Sequence, residues 1–366
     1  MMKTILFCAI ASACAVCRGA SAPSSDPISY VAHQGEEALA PSHSRAAYRL
    51  AAEHGLDYLK LDLRETKDGE VVMSHDRTLK NVMGWDAEIR DLTLSEIREK
   101  GVCRPRGGYN DEKIVTLREA LQFAKGMKKG VWLDFKDFSL SFAPKVFRIV
   151  EECGFSDDRI MVATFNKHAL KWLHKNRPSV RRVAHTIIYR ERDGSFRFND
   201  IDGKDKVYPS LEALGDALEK QARTLGLSGF NLPHRYKGKM RGSHTPPALV
   251  HRLKKAGYWI SIWFVYEPLT GEYYRQVGVD AFVTRCKAHT FPGSDPGQAE
   301  RARLMRLMAQ AGDGETRVPK GDKLDALMYC AWEPDIAVDM LVKAGGRMPA
   351  TADEAVKRLE EIIGKK

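Results

Sequence analysis

Long apolar runs are missing from this sequence. The longest, Ile5–Cys17, falls well short of the roughly 20 residues that a membrane-spanning helix requires, so no transmembrane helix is expected in the mature chain. Cysteine is sparse as well: seven in 366 residues, three of them in that first apolar run. The remaining four, Cys103, Cys153, Cys286 and Cys330, show no C-x-x-C or Cys/His spacing, which excludes a zinc-ribbon or dithiol redox centre. They allow three full disulfide pairings in an oxidising compartment, with buried free thiols as the alternative. There is no P-loop, no H-E-x-x-H, no G-x-S-x-G elbow and no G-x-G-x-x-G after a strand. Lys and Arg outnumber Asp and Glu by 58 to 48, yet they do not interleave with aromatics as a nucleic-acid surface requires. Nucleic acid is therefore not an expected partner. The +10 excess suits an anionic ligand and equally a solvated cationic face. With 43% apolar and 29% charged residues the composition is that of a globular protein, not a disordered or fibrous one.

The amino terminus reads as an address. Met1-Met2-Lys3, the run Ile5–Cys17 and the small-residue exit Arg18-Gly19-Ala20-Ser21-Ala22 form a secretory signal over residues 1–22. The expected location is periplasmic or extracellular. Ala11-Ser12-Ala13-Cys14 faintly resembles a lipoprotein box without its leading aliphatic residue, so a lipid anchor is the lesser alternative.

From Ile28 onward, short β-rich runs alternate with helical patterns. The runs are Ile28–Ala32, Tyr58–Leu63, Val71–Ser74, Val131–Phe135, Ile160–Ala163, Val180–Ala184, Gly229–Leu232, Trp259–Val265 and Ala281–Thr284. Continuous apolar runs rich in branched and aromatic residues suit parallel strands buried on both faces. Strand-helix alternation of this length argues for a closed (β/α)8 barrel or a doubly wound sheet. Two insertions interrupt it, at about residues 77–116 and at Arg190–Tyr208. After the breaker Pro292–Gly297 the pattern becomes helical, over Ala299–Ala311, Lys323–Trp332, Asp335–Ala344 and Ala352–Ile363. Thr351 and Glu354 form the signature of a capping box at the last of these. The expected division is a barrel over residues 27–291 and a small helical extension over 298–366.

Catalytic groups of such barrels sit at the carboxyl ends of the strands. The polar residues found there are His33, Lys60 with Asp62, His75 with Asp76, Asp134 with Lys136, Thr164, His185, Asn231 with His234, and Trp263. Lys60 and Asp62, like Asp134 and Lys136, are two apart and so face the same side of their strand. Charges inside apolar strands are costly unless paired or used. One such pair reads as a structural ion pair, whereas four charged groups converging with two histidines read as a site.

These residues resemble the glycerophosphodiester phosphodiesterase family. The resemblance rests on Val31-Ala32-His33-Gln34-Gly35, Pro41-Ser42-His43-Ser44, Gly55–Asp62, Thr66-Lys67-Asp68-Gly69, Val71–Asp76 and Leu133-Asp134-Phe135-Lys136. The family pattern runs roughly H-R-G, P-E-N-T, G-A-D-x-x-E-x-D, T-K-D-G, V-x-x-H-D and Glu-x-Lys. It implies a TIM (β/α)8 barrel and hydrolysis of a small or lipid-derived phosphodiester, with His33 and His75 as the acid/base pair. A pair of imidazoles suits a reaction in which one group accepts and another donates a proton near neutral pH. The attacking group is water or a neighbouring hydroxyl of the substrate.

The family also implies a divalent metal, calcium or magnesium, with Asp62 and Asp134 among its ligands. Here Lys60 stands at a ligand Glu, Ser42 at the Glu of P-E-N-T, and Gln34 at the Arg beside the first His. An ammonium repels a hard cation. Lys60, Asp62 and Asp134 carry the same net −1 as three carboxylates around a divalent ion. Lys60 is thus expected to take over phosphate binding, with Lys136 as a secondary phosphate or carboxylate partner and Gln34 and Trp263 lining the pocket. The opposing expectation is an inactive barrel that binds a phosphodiester, lipid headgroup or envelope polymer without cutting it. The sequence leaves the oligomeric state open.

Overall fold

Among the described residues of the computed structural model, twelve strands form: β1 (Ser29–Ala32), β2 (Tyr58–Glu65), β3 (Val71–Met73), β4 (Gly130–Phe135), β5 (Ile160–Thr164), β6 (Arg181–His185), β7 (Ile188–Arg190), β8 (Phe196–Asn199), β9 (Asp205–Tyr208), β10 (Gly229–Pro233), β11 (Trp259–Trp263) and β12 (Ala281–Thr284). The structure describes residues 28–191, 193, 195–200, 204–234, 245–291, 296–311 and 334–364. Eight strands pair in parallel in the order β1-β12-β11-β10-β6-β5-β4-β2, and β1 also pairs with β2, closing the barrel. The expectation of a closed barrel holds, and the doubly wound sheet is excluded by that last pairing.

Alternation along the barrel strands divides the side chains between two cores. Leu59, Leu61 and Leu63 of β2 and Val131, Leu133 and Phe135 of β4 point outward into the layer covered by helices. Trp132, Met161, Ala163, Val183, Trp263 and Val283 point inward and fill the barrel's centre. The inward positions nearest the carboxyl ends carry the charged residues, and the register sets them side by side. β2 and β4 pair with Lys60 opposite Trp132 and Asp62 opposite Asp134.

The run Val71–Ser74 is not a wall of the barrel. β3 pairs antiparallel with the far end of β2, Leu63 opposite Met73, because only five residues separate the two strands and a parallel crossover needs a dozen or more. Residues 77–116 then wrap a satellite core of Val72, Leu79, Ile89, Ile97 and Ile114. The second insertion is a three-stranded antiparallel sheet, β7-β8-β9, rising from the carboxyl end of β6.

Carboxyl-terminal helices Pro296–Ala311, Pro334–Lys343 and Ala352–Gly364 join the outer core through Leu304, Met308, Leu341, Ala355, Leu359 and Ile363. The first two pack against the helix Pro268–Val277, where Arg306 pairs with Glu272 at 2.8 Å, and the third packs on the first two. The expected helix Lys323–Trp332 lies outside the described residues. The box at the last helix is half formed: Glu354 donates its backbone N–H to Thr351 Oγ1, but its carboxylate accepts from Ala350 rather than Thr351. No helix among the described residues is long and apolar enough to cross a membrane. Cys103, Cys153 and Cys286 are free thiols, and Cys330 falls outside the described residues.

Candidate active site

The first histidine is placed by a tight turn. His33 follows β1, and Gly35 has φ +82°. A Cβ there would lie 2.6 Å from that of Ala47, so only glycine lets the turn press against the helix Arg45–Glu53. Gln34 and His43 also adopt left-handed backbone (φ 58° and 60°), a strain that recurs at functional sites. His33 Nδ1 lies 2.5 Å from Glu37 Oε1. Glu37 in turn accepts from Ser42 Oγ at 3.1 Å and pairs with Arg285 at 3.3 Å. With its Nδ1–H donating to Glu37, neutral His33 keeps the Nε2 lone pair for another partner. Burial lowers the His33 pKa, and Glu37 offsets only part of that shift, so the ring is neutral at pH 7.

Four charges lie on the cavity floor. The Lys60 ammonium binds Asp62 Oδ1 and, at 3.0 Å, Asp134 Oδ2. Lys136 lies 2.8 Å from Asp134 Oδ2 and 3.4 Å from Asp62 Oδ1. Burial alone would raise both carboxylates; Lys60 and Lys136 outweigh it and hold Asp62 and Asp134 well below the ordinary range. The same carboxylates outweigh burial at Lys136 and raise its pKa. Lys136 is therefore an integral member, and the cluster sums to zero rather than the −1 expected from Lys60, Asp62 and Asp134.

Each carboxylate also takes a hydrogen bond from a histidine. His43 Nε2 is 3.0 Å from Asp62 Oδ2, and its Nδ1 is 2.9 Å from the Tyr48 hydroxyl. His185 Nε2 is 3.1 Å from Asp134 Oδ2, and its Nδ1 is 2.7 Å from Asn231 Nδ2. Asn231 Oδ1 accepts from Ser261 Oγ at 2.7 Å, so the amide nitrogen must donate to His185 and the ring's proton sits on Nε2. Burial lowers the pKa of both histidines, which makes them neutral donors.

A cavity of about 260 Å³ opens over this floor. Its walls include His33, Gln34, Lys60, His75, Asp134, Lys136, His185 and Trp263, so the structure gathers all but one of the expected site residues around one space. The exception, Asp62, is fully buried and ion-paired with Lys60. Trp263 faces the cavity while its Nε1 donates to the Asn231 carbonyl at 3.2 Å within the barrel core. His75 arrives from the antiparallel β3, half exposed, with Nδ1 2.9 Å from Asp76. Arg64 ties this segment to the barrel by donating to the carbonyls of His75 (2.9 Å) and Lys136 (3.0 Å). His234 contacts Tyr274 instead and does not line the cavity.

The sequence pattern singles out neither His43 nor Glu37, and it marks His185 only as a residue at a strand's carboxyl end. His43 occupies the Asn of the P-E-N-T pattern and Glu37 the loop between two motifs. The one available signal was the loss of Glu at Ser42, since a carboxylate lost beside His33 has a replacement within bonding reach of the same turn.

The divalent metal implied by the resemblance does not fit these groups. Lys60 puts its ammonium between the two carboxylates that would hold the ion, and Lys136 and two imidazole N–H groups occupy their remaining faces. Among the described residues, no three His, Cys, Asp or Glu side chains are grouped to hold a metal.

Comparison with known proteins gives a consistent picture. The chain is 27% identical over 155 residues to a glycerophosphodiester phosphodiesterase of Caldanaerobacter subterraneus, covering 41% of this chain and 63% of that protein. It is 28% identical over 200 residues to glycerophosphodiester phosphodiesterase 1 of Bos taurus, covering 52% and 59%. The matched stretch thus spans less than two thirds of these relatives. Among solved structures, a phosphodiesterase of Oleispira antarctica, in complex with the product sn-glycerol-3-phosphate, superposes with a TM-score of 0.57 at 18% identity, over 72% of this chain and 94% of that one. One from Agrobacterium tumefaciens gives 0.53 at 20% identity, over 72% and 99%. Both share the barrel fold. The family model described as the glycerophosphoryl diester phosphodiesterase family matches residues 33–285, from the base of the His33 turn to the Arg285 that braces Glu37. That span takes in the whole floor and rim of the cavity, and the chain belongs to the glycerophosphoryl diester phosphodiesterase family.

Proposed function

We propose that the protein hydrolyses glycerophosphodiester-type substrates by two-histidine acid/base catalysis, with Lys60 and Lys136 in the role that a divalent metal fills in the family. The supporting observation is the position of the Lys60 ammonium between Asp62 and Asp134, at the floor of a cavity that His33 and His75 both line. An ammonium carries three N–H donors. Two from each lysine are directed at Asp62 and Asp134, leaving one on each for the phosphoryl oxygens of a bound diester. Fixed donors of this kind stabilise charge that develops on phosphorus-bound oxygen.

In this reaction neutral His33 takes a proton at Nε2 from water, or from a neighbouring hydroxyl of the substrate, as the oxygen adds to phosphorus. Glu37 accepts the hydrogen bond from Nδ1–H, which stays on the ring, and its charge steadies the imidazolium that forms. The bond from phosphorus to the leaving alcohol breaks, and His75 supplies that alcohol's proton. With water as nucleophile, one phosphomonoester and one alcohol result. If a substrate hydroxyl attacks first, a second round opens the cyclic diester with water. Residues 1–22 support export, so the proposed setting is outside the cytoplasm.

The alternative, a barrel that binds a phosphodiester, lipid headgroup or envelope polymer without cutting it, draws on Gln34, an uncharged group where the family pattern has Arg. One experiment separates the two: hydrolysis of a glycerophosphodiester panel after exhaustive chelation, with His33→Ala and His75→Ala as controls. The proposal expects turnover that survives chelation and falls roughly 10²–10⁴-fold in each variant. Absence of turnover from folded protein, with or without divalent ions, favours the binding barrel.

A further inference from the structure

A second cavity, of about 580 Å³, opens beside the catalytic one, and Phe165 and His185 line both. One side of it is apolar and aromatic, with Phe138 from the loop after β4 and Ile187, Tyr189 and Phe198 from the segment that builds the β7-β8-β9 sheet; His168, Thr186 and Asn199 are among the polar residues of the rest. That sheet is latched in place by Lys167, which donates to the side chain of Asn199 at 2.9 Å. Exposed apolar side chains gather at this end of the barrel. Five large ones are exposed among the described residues, and Phe138, Leu140 and Phe165 all stand on the loops that follow β4 and β5. A glycerophosphodiester with a small polar alcohol has no use for such a wall. The groove is of the size that buries a small organic ligand, and the charged groups facing it, Lys167, Lys171 and Asp205, lie among its lining rather than closing it off.

We propose that this groove holds the apolar chain of a single-chain amphiphilic phosphodiester whose phosphate lies over Lys60 and Lys136. The inference rests on the hydrolytic reading above and adds the substrate class. Continuity supports it: a chain leaving the phosphate past Phe165 and His185 enters the groove directly, and His185 is already bonded to Asp134 and Asn231. The phosphorus chemistry is unchanged.

The test is a homologous series of glycerophosphoalkanols with alkyl chains from two to ten carbons, assayed below the critical micelle concentration. Burial of each added methylene is expected to lower KM about threefold to fourfold over the first several carbons, with kcat nearly constant. Phe138→Glu should flatten that dependence while leaving the two-carbon substrate unchanged, which also shows that the variant folds. Tyr189→Ser should do the same from the opposite wall. A KM independent of chain length in an active enzyme overturns the groove and leaves hydrolysis standing, as does a variant that slows short and long substrates alike. If no member of the series turns over, hydrolysis falls, and calorimetric titration with the same compounds decides the groove. A Kd that tightens with chain length supports it, and a flat one overturns it.

Discussion

Replacing Lys60 by glutamate tests the charge arrangement most directly. Lys60 is 4% exposed and bonds Asp62 and Asp134. With Lys136 the four groups sum to zero, so Lys60→Glu leaves a net −2 at the same buried spot. Breaking a buried ion pair and leaving its partner uncompensated costs about 3–5 kcal/mol. Lys136, His43 and His185 still hold the two aspartates, which keeps the loss within that range instead of doubling it. For a barrel of this size, roughly 2 °C of melting temperature accompanies each kcal/mol, so the metal-free variant should melt about 6–10 °C lower.

The variant also gains what the wild type lacks, a third carboxylate facing the other two. Calcium or magnesium at 100 times its Kd should then return about 2.7 kcal/mol of stability. The assay is thermal unfolding of wild type and Lys60→Glu, each chelated and each with millimolar calcium or magnesium. The expected pattern is a divalent-dependent rise in the variant and none in the wild type. A wild type that is itself stabilised by the ion, with near-stoichiometric binding by calorimetry and turnover lost on chelation, would refute the reasoning at its root.

Two further outcomes follow from the buried histidines. Glu37→Gln removes a carboxylate that raises the His33 pKa, so the acid limb of kcat/KM should move to lower pH while kcat itself falls roughly 10²-fold; a limb that stays put shows that His33 is not the titrating base. His33, His43 and His185 all have pKa values lowered by burial, so the unfolded chain binds more protons than the native one just below the ordinary histidine pKa near 6.5. Stability should be fully present above that pH and decline below it, and urea titrations at pH 7.5, 6.5 and 5.5 should give a falling midpoint.

The barrel was legible because its signals are local. Branched and aromatic runs such as Ile160–Thr164 can be buried on both faces only in a covered parallel sheet, and spacing by two aligned Lys60 with Asp62 and Asp134 with Lys136. Closure itself was not legible, since it depends on β1 meeting both β2 and β12 across the whole chain. Val71–Ser74 looked like the other strands because composition carries no direction; the short link from β2 fixed it as antiparallel. Lys136 was read as secondary because strand spacing tells which face a side chain takes, not how far its flexible stem reaches back. Glu37 and His43 lie on a loop whose course is set by backbone torsions at Gln34, Gly35 and His43, and no periodicity reports those.

The separate mounting of His33 and His75, the proposed acid/base pair, has a mechanical consequence. His33 is seated on the barrel wall, braced by Glu37 and packed beneath Phe264. His75 rides on a hairpin strand that leads into a subdomain with its own small core, and Arg64 fastens it to the wall at the carbonyl of Lys136. The proposed base is therefore part of the barrel wall, while the proposed acid sits just past the end of a hairpin strand, held by the ladder to β2, by the Ser74 N–H on the Asp62 carbonyl at 2.9 Å and by Arg64. Changes in residues 77–116 can reset the gap between them, and so the size of the group that fits there, without disturbing one strand of the barrel.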